Sequence, residues 1–187
     1  MRALRTVALA LSLSLGVRAP APLAGGGGGK VFLTVEEALK LAYPDCAIER
    51  RTVYLTDEQK KRAEELAGFE LEDSVVHPYV ATRDKTVVGT AWFDSHKVRT
   101  KNAVLMFAVA PDRKVARVEL LAFAEPLDYV PRASFYAQFV GKKLDADLDL
   151  ERGIQGVAGA TLSARTATRA ARRVLAVHEV VFPAGGP

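Results

Sequence analysis

The chain holds one cysteine, Cys46, in 187 residues, so no internal disulfide can form and the fold has to stand on its apolar core. Cys46 therefore reads as a small buried hydrophobe and is assigned no chemistry. Histidine is equally scarce. His77, His96 and His178 lie far apart with no pair at i and i+4, which argues against zinc, haem and iron–sulfur ligation, and no metal is expected. The alternating Asp145, Asp147 and Asp149 lack the glycine and distal glutamate of a calcium loop and read as a solvated loop. Neither a G-x-S-x-G turn nor a G-x-x-x-x-G-K-[ST] loop is present. A sustained excess of one charge is missing too. The chain carries 26 Lys and Arg against 22 Asp and Glu, but Arg2, Arg5 and Arg18 fall in the first 24 residues, and without them 23 basic face 22 acidic residues. That balance gives no electrostatic footprint for nucleic acid, and none is expected as a partner.

What is present begins with an address. Arg2 and Arg5 precede the uncharged apolar stretch Thr6 to Val17, and small residues follow from Ala19 to Ala24. This is the layout of a secretory signal, and the stretch is shorter than the roughly 20 residues of a spanning helix. Residues 1–24 are read as a signal peptide or an uncleaved N-terminal anchor. Either way the protein is expected to be exported, in the periplasm or on the outer face of the cytoplasmic membrane. Residues 25–30 form a glycine-rich linker.

Thr34 with Glu37, and Thr56 with Gln59, have the spacing of capping boxes. They predict a helix over 35–42 ended by Pro44 and a solvated helix from 57 stopped by Gly68, in a helical N-terminal part spanning 31–74. From Val75 the pattern turns to β-branched and aromatic residues. Strands are expected over 75–82, 87–93, 103–110 and 115–123, joined by the polar connectors 83–85 and 111–114 into antiparallel hairpins. Pro131 suits the first turn of a helix through Val140, with Gly141 just beyond. Leu162 to Val177 is the longest helical candidate, with alanines on its packing face and Arg165, Arg169, Arg172 and Arg173 on its wet face. The fold class expected is α+β, a single antiparallel sheet packed with helices.

One segment carries chemistry. Gly156-Val157-Ala158-Gly159-Ala160-Thr161-Leu162-Ser163 sets small residues and two hydroxyls immediately before that long helix. Uncovered backbone N–H groups and the positive end of the helix dipole suit an anion such as a phosphate, which Thr161 and Ser163 could bond and Arg165 could screen. The same residues would serve equally as an ordinary helix start after a glycine turn.

Gly159-Ala160-Thr161-Leu162-Ser163 resembles the attachment motif of the FMN-binding domain family. That family includes the flavin-carrying subunits of the sodium-translocating NADH:quinone reductase and of the Rnf electron-transport complex. Its pattern is D-x-x-[ST]-G-A-T-x-[ST], and here Gln155 and Ala158 stand at the first and fourth positions. The likeness runs over about residues 86–177. Phe123-Ala124-Glu125-Pro126 resembles the loop that approaches the flavin ring, Gln138 to Lys142 a short helix end, and Phe93 to Thr100 a segment of stand-alone exported members. The resemblance implies an FMN-binding-domain-like fold over 75–182, with FMN as cofactor, esterified through its phosphate to Thr161 by a flavin transferase.

It further implies a cofactor-binding set of Gly159, Ala160, Thr161, Leu162, Ser163, Glu125, Pro126 and His96. Glu125 and Pro126 would meet the polar edge of the ring, and His96 would hydrogen-bond it or a partner. Trp92, Tyr129, Phe135 and Tyr136 are candidates to flank it. No catalytic residue is assigned. The expected work is electron transfer with membrane redox proteins as donor or acceptor, rather than self-contained enzymatic turnover. Two alternatives stand beside it: a module that binds FMN or another phosphorylated ligand without a covalent bond, and a flavin-dependent reductase of a small acceptor.

Overall fold

The computed structural model describes residues 29–183; the segment read as a signal peptide or anchor and most of the expected linker lie outside the described residues. Helices α1 (Val35–Ala42) and α2 (Asp57–Ala67) start where the capping boxes put them. The Glu37 N–H donates to Thr34 Oγ1 at 3.2 Å while the Glu37 carboxylate accepts the Thr34 N–H at 2.8 Å. Thr56 and Gln59 repeat the exchange at 3.1 Å in both directions. Gly68 closes α2 in the left-handed region, φ 85°, where glycine pays no Cβ penalty.

The strands are β1 (Lys30–Val31), β2 (Ala47–Arg50), β3 (Val53–Tyr54), β4 (Val75–Val76), β5 (Tyr79–Arg83), β6 (Thr86–Lys97), β7 (Asn102–Val109) and β8 (Val115–Phe123). Six of them form one curled antiparallel sheet in the order β1-β8-β7-β6-β5-β2, and β3 pairs with β4 apart from it. The class is α+β, as expected. The strand expected over 75–82 is instead two strands in two sheets, because Pro78 has no N–H to give a ladder and its carbonyl accepts the Arg51 N–H at 2.9 Å. Asp84 and Lys85, both at positive φ, make the tight β5–β6 turn. Lys30 belongs to β1 rather than to the linker, and β1 and β2 bring the 31–74 stretch into the same sheet as the strands that follow.

Helix α3 (Ala133–Ala137) is shorter than the 131–140 expected, and α4 (Thr161–Val181) is longer than 162–177. One sheet face, with Val80, Trp92, Leu105, Phe107 and Val109, packs against α4, α2 and the Phe135 and Phe139 rings. The opposite face, with Ala81, Ala91, Met106 and Ala108, is covered by Ala38, Leu39 and Tyr43. Along β6 the period of two therefore sends Thr90, Trp92, Asp94 and His96 toward α4. Helix α2 is solvated on one side only: Ala63 and Ala67 are buried among the alanines of α4, small side chains that allow the two helices a close approach.

Two of the arginines expected on a wet face of α4, Arg172 and Arg173, need correction. Arg172 donates to the Ala67 and Leu66 carbonyls at 2.9 and 3.3 Å, filling orphan acceptors at the end of α2, and to the Asp145 and Leu148 carbonyls at 3.0 and 3.2 Å. Arg173 turns inward onto Asp94, and Arg169 lies 4.2 Å from the centre of the Phe69 ring. Helical periodicity tells which side a residue occupies, but the long guanidinium stem reaches past that side to buried acceptors. Arg165 and Arg169 are exposed as expected.

Gly89 marks the closest approach in the sheet. A Cβ there would sit 2.6 Å from the Tyr43 hydroxyl and 2.7 Å from the Val109 carbonyl oxygen. That hydroxyl donates to the Thr90 carbonyl at 2.8 Å, so it cannot retreat without leaving a buried acceptor bare. Gly89→Ala is expected to destabilise the fold by about 1–3 kcal/mol in denaturant unfolding. An unchanged midpoint would show that the backbone at Gly89 and Val109, as well as Tyr43, relaxes freely around the added Cβ.

Candidate functional site

Helix α4 starts unlike α1 and α2. Its first flanking residue, Ala160, has no side chain able to cap it, and no acidic residue lies in the first turn. Among the described residues no acceptor meets the backbone N–H groups of Thr161, Leu162 and Ser163. The positive end of a 21-residue helix is thus bare. Thr161 is exposed, and its hydroxyl makes no hydrogen bond among the described residues. Gly159 precedes it at φ 79°, and a Cβ there would meet nothing within 4 Å, so glycine serves the backbone turn rather than making room. Ala160 is buried under the turn, its N–H donated to the Val157 carbonyl at 3.1 Å. Gln138, beyond α3, holds the approach to the motif: its amide exchanges hydrogen bonds of 2.8 and 3.2 Å with the backbone of Gln155.

Ser163 does something other than expected. Its hydroxyl donates to the Tyr129 carbonyl at 2.6 Å, which spends it on the 3-10 turn Leu127–Tyr129 and not on an anion. Glu125 is likewise committed. Its Oε1 accepts the Thr100 and Lys101 N–H groups at 2.6 and 2.8 Å and the Thr100 hydroxyl at 3.2 Å, closing the β6–β7 hairpin. Those backbone donors hold its carboxyl below the ordinary carboxylate range. Pro126 opens the 3-10 turn, with its carbonyl accepting the Tyr129 N–H at 3.0 Å. Val98 of the hairpin, Phe123 and Val130 pack in one small apolar cluster. The hairpin tip, the 125–130 loop and the start of α4 are therefore tied together at one end of the molecule.

His96 faces Asp94 instead of open space. Its Nδ1 lies 2.8 Å from Asp94 Oδ1, and Arg173 holds the same carboxylate through Nε at 2.7 Å and Nη2 at 3.0 Å. Burial opposes the charge on Asp94, but the bonds from His96 and Arg173 outweigh it and keep the carboxyl low. Neither Asp94 nor Arg173 was among the expected site residues. The Asp-x-His alternation on a strand could have pointed to the first, since it sets both side chains on one face.

The aromatic candidates separate. Trp92 is core at the far end of α4, its Nε1–H donated to Thr90 Oγ1 at 3.0 Å and its ring edge-on to His178 and Phe182. Phe135 is core beside Phe139. Tyr129 is partly exposed, and Tyr136 lines an open groove of about 610 Å³ with Phe32, Leu120, Pro131, Ala137 and Val140. Among the described residues no group of three or more His, Cys, Asp or Glu side chains is placed to hold a metal ion, and no helix is long and apolar enough to cross a membrane. No protein-family model matches the chain, and no curated protein matches it.

Proposed function

We propose that the chain is an extracytoplasmic flavoprotein of the FMN-binding-domain kind, carrying electrons through an FMN joined by a phosphoester to Thr161. The observation that carries this reading is the exposed Thr161 hydroxyl at the uncapped positive end of α4. The donor set suits the phosphate of FMN: three free backbone N–H groups, no carboxylate in the first turn to repel it, and Arg165 one turn along. Bound flavin would supply one- and two-electron redox chemistry that no side chain here offers. The chain's own part is to hold the phosphate end at Thr161 and to form the surroundings of the ring. In this reading Thr161, Gly159, Ala160 and Leu162 would stand beside the phosphate. Ser163, Glu125, Pro126 and His96 make contacts within the fold instead. A covalent link suits an exported protein, which cannot draw a lost cofactor from the cytoplasm. Maturation would need a flavin transferase, and membrane redox proteins would give or take the electrons.

A second reading has its own support. The backbone N–H cradle would hold a phosphate with or without an ester, and Gln155 and Ala158 depart from the pattern expected where a transferase acts. The chain would then bind FMN, or another phosphorylated ligand, reversibly.

The test is a denaturing gel viewed under flavin-exciting light, loaded with chain exported from a host that has the transferase. The parent band is expected to fluoresce and Thr161→Val to be dark. A dark parent that turns yellow when native protein is mixed with FMN supports the reversible module. A parent that is dark and stays colourless overturns both readings.

A further inference from the structure

The end of the sheet that carries the β6–β7 hairpin tip gathers three segments. The tip, residues 97–102, is bound through the Thr100 and Lys101 N–H groups to the Glu125 carboxylate. The loop 124–132 follows β8, and the Ala124 N–H returns to the Asn102 carbonyl at 2.9 Å. The start of β1 lies alongside, with Lys30 opposite Phe123 and with Gly29 so close that a Cβ on it would sit 2.7 Å from Ala124 Cα. These segments carry five cations, Lys30, Lys97, Arg99, Lys101 and Arg132, against the carboxylates Glu125 and Asp128. Of the 23 basic and 22 acidic residues beyond position 24, that leaves 18 and 20 elsewhere. A chain close to neutral is therefore positive at this end and slightly negative over the rest. All five cations are exposed. None of them makes a salt bridge among the described residues, whereas Arg51, Arg62, Lys114, Arg117 and Arg173 all do. On the same segments Val31 is 68% exposed, Leu127 51% and Tyr129 38%.

We propose that this end of the molecule docks on the surface of a membrane that contains anionic phospholipid. Each Lys or Arg held near such a surface is drawn to it, and the attraction dies away within a Debye length. Five unpaired cations on one end meet that requirement without any excess of charge on the whole chain. Leu127, Tyr129 and Val31 add what electrostatics does not supply. They are apolar groups that leave water at the depth of the headgroups, where a tyrosine keeps its ring dry and its hydroxyl wet. A nucleic-acid backbone would answer the cations but leave those side chains in water. Glu125 sets the array, because its bonds to Thr100 and Lys101 hold tip and loop together and engage in the fold a carboxylate that would oppose an anionic lipid. Connectivity agrees. The apolar stretch Thr6 to Val17 precedes Gly29, so the segment read as a signal peptide or anchor joins the folded body at this end. The proposal does not depend on a flavin at Thr161.

The experiment sediments the full chain with vesicles of phosphatidylcholine alone, or mixed with phosphatidylglycerol, and follows amide exchange over residues 97–101 and 126–130. The parent is expected to favour the anionic vesicles, to lose that preference at high salt, and to exchange more slowly over both segments on anionic vesicles only. With Lys97→Gln, Arg99→Gln and Lys101→Gln combined, partition onto anionic vesicles should fall about fivefold per cation, about a hundredfold in all, and the slowing should vanish. A control triple, Lys61→Gln, Lys85→Gln and Lys114→Gln, takes as many charges from α2 and from the turns at the other end of the sheet, and should behave as the parent does. Residues 1–28 are common to all three proteins, so whatever Thr6 to Val17 contributes is shared, and the exchange readout is local to the surface. Equal loss in the two triple variants, no loss in the first, or exchange in the parent unmoved by anionic vesicles overturns the proposal. So does capture of a duplex oligonucleotide in preference to the anionic vesicles.

Discussion

Replacing Asp94 by alanine is expected to cost about 3 kcal/mol of folding stability, the low end of the range for breaking a buried ion pair from one side. The carboxylate is the only anion bonded to Arg173 among the described residues, through two bonds of 2.7 and 3.0 Å, and it also takes the His96 ring N–H at 2.8 Å. Without it, Arg173 keeps its charge against the sheet with only Glu72 and Asp73 near enough to favour it. The low end applies because the Arg173 side chain retains 30% exposure and can turn toward water. Asp94→Asn preserves shape and one acceptor, so its cost should be clearly smaller. Denaturant unfolding of both variants checks the ordering, and an alanine variant within about 0.5 kcal/mol of the parent would mean that the network contributes as little as a surface pair.

Acid should weaken the fold in a window set by His178. The ring is 4% exposed and lies at the far end of α4 from Thr161. Thr90 Oγ1 accepts the Trp92 indole N–H at 3.0 Å, which leaves its own proton for His178 Nδ1 at 3.2 Å. Burial first, and the Arg113 charge second, push the imidazole down from 6.5 to about 4. The sign follows from linkage. Between pH 6.5 and about 4 the unfolded chain takes up a proton that the folded chain refuses. The stability tied to the neutral ring is therefore complete above 6.5 and is lost as pH falls toward about 4, by about 3 kcal/mol in all. Asp94, held low by its partners, keeps its contribution down to its unfolded value near 3.8 and loses it only below. His178→Asn, whose amide oxygen can still accept the Thr90 hydroxyl, should flatten stability across the upper window even if the variant is weaker throughout. An equal slope in parent and variant would assign the acid sensitivity elsewhere.

These two networks also mark where the sequence stops being readable. The capping boxes of α1 and α2 were legible because donor and acceptor are three residues apart, and the central strands because those segments are rich in β-branched, aromatic and other apolar residues between short polar connectors. Strands β1 and β2 were not. They are two- and four-residue edge strands, mostly exposed, with no apolar face to set a period. The Arg173–Asp94 pair spans 79 residues, so a charge that looks solvated on the helix finds its partner only once the sheet has formed. At the candidate site the helix start and the exposed Thr161 could be read from the small residues before a long amphipathic run. The engagements of Ser163 with Tyr129 and of Glu125 with the hairpin are tertiary, and no local pattern encodes them.

The mass of the intact chain, exported from cells that contain a flavin transferase, tests the central claim most directly. It should exceed the mass of the polypeptide alone by FMN less one water, with the increment confined to the peptide that contains Thr161. An unmodified mass from such cells, with that peptide recovered bare, would contradict it.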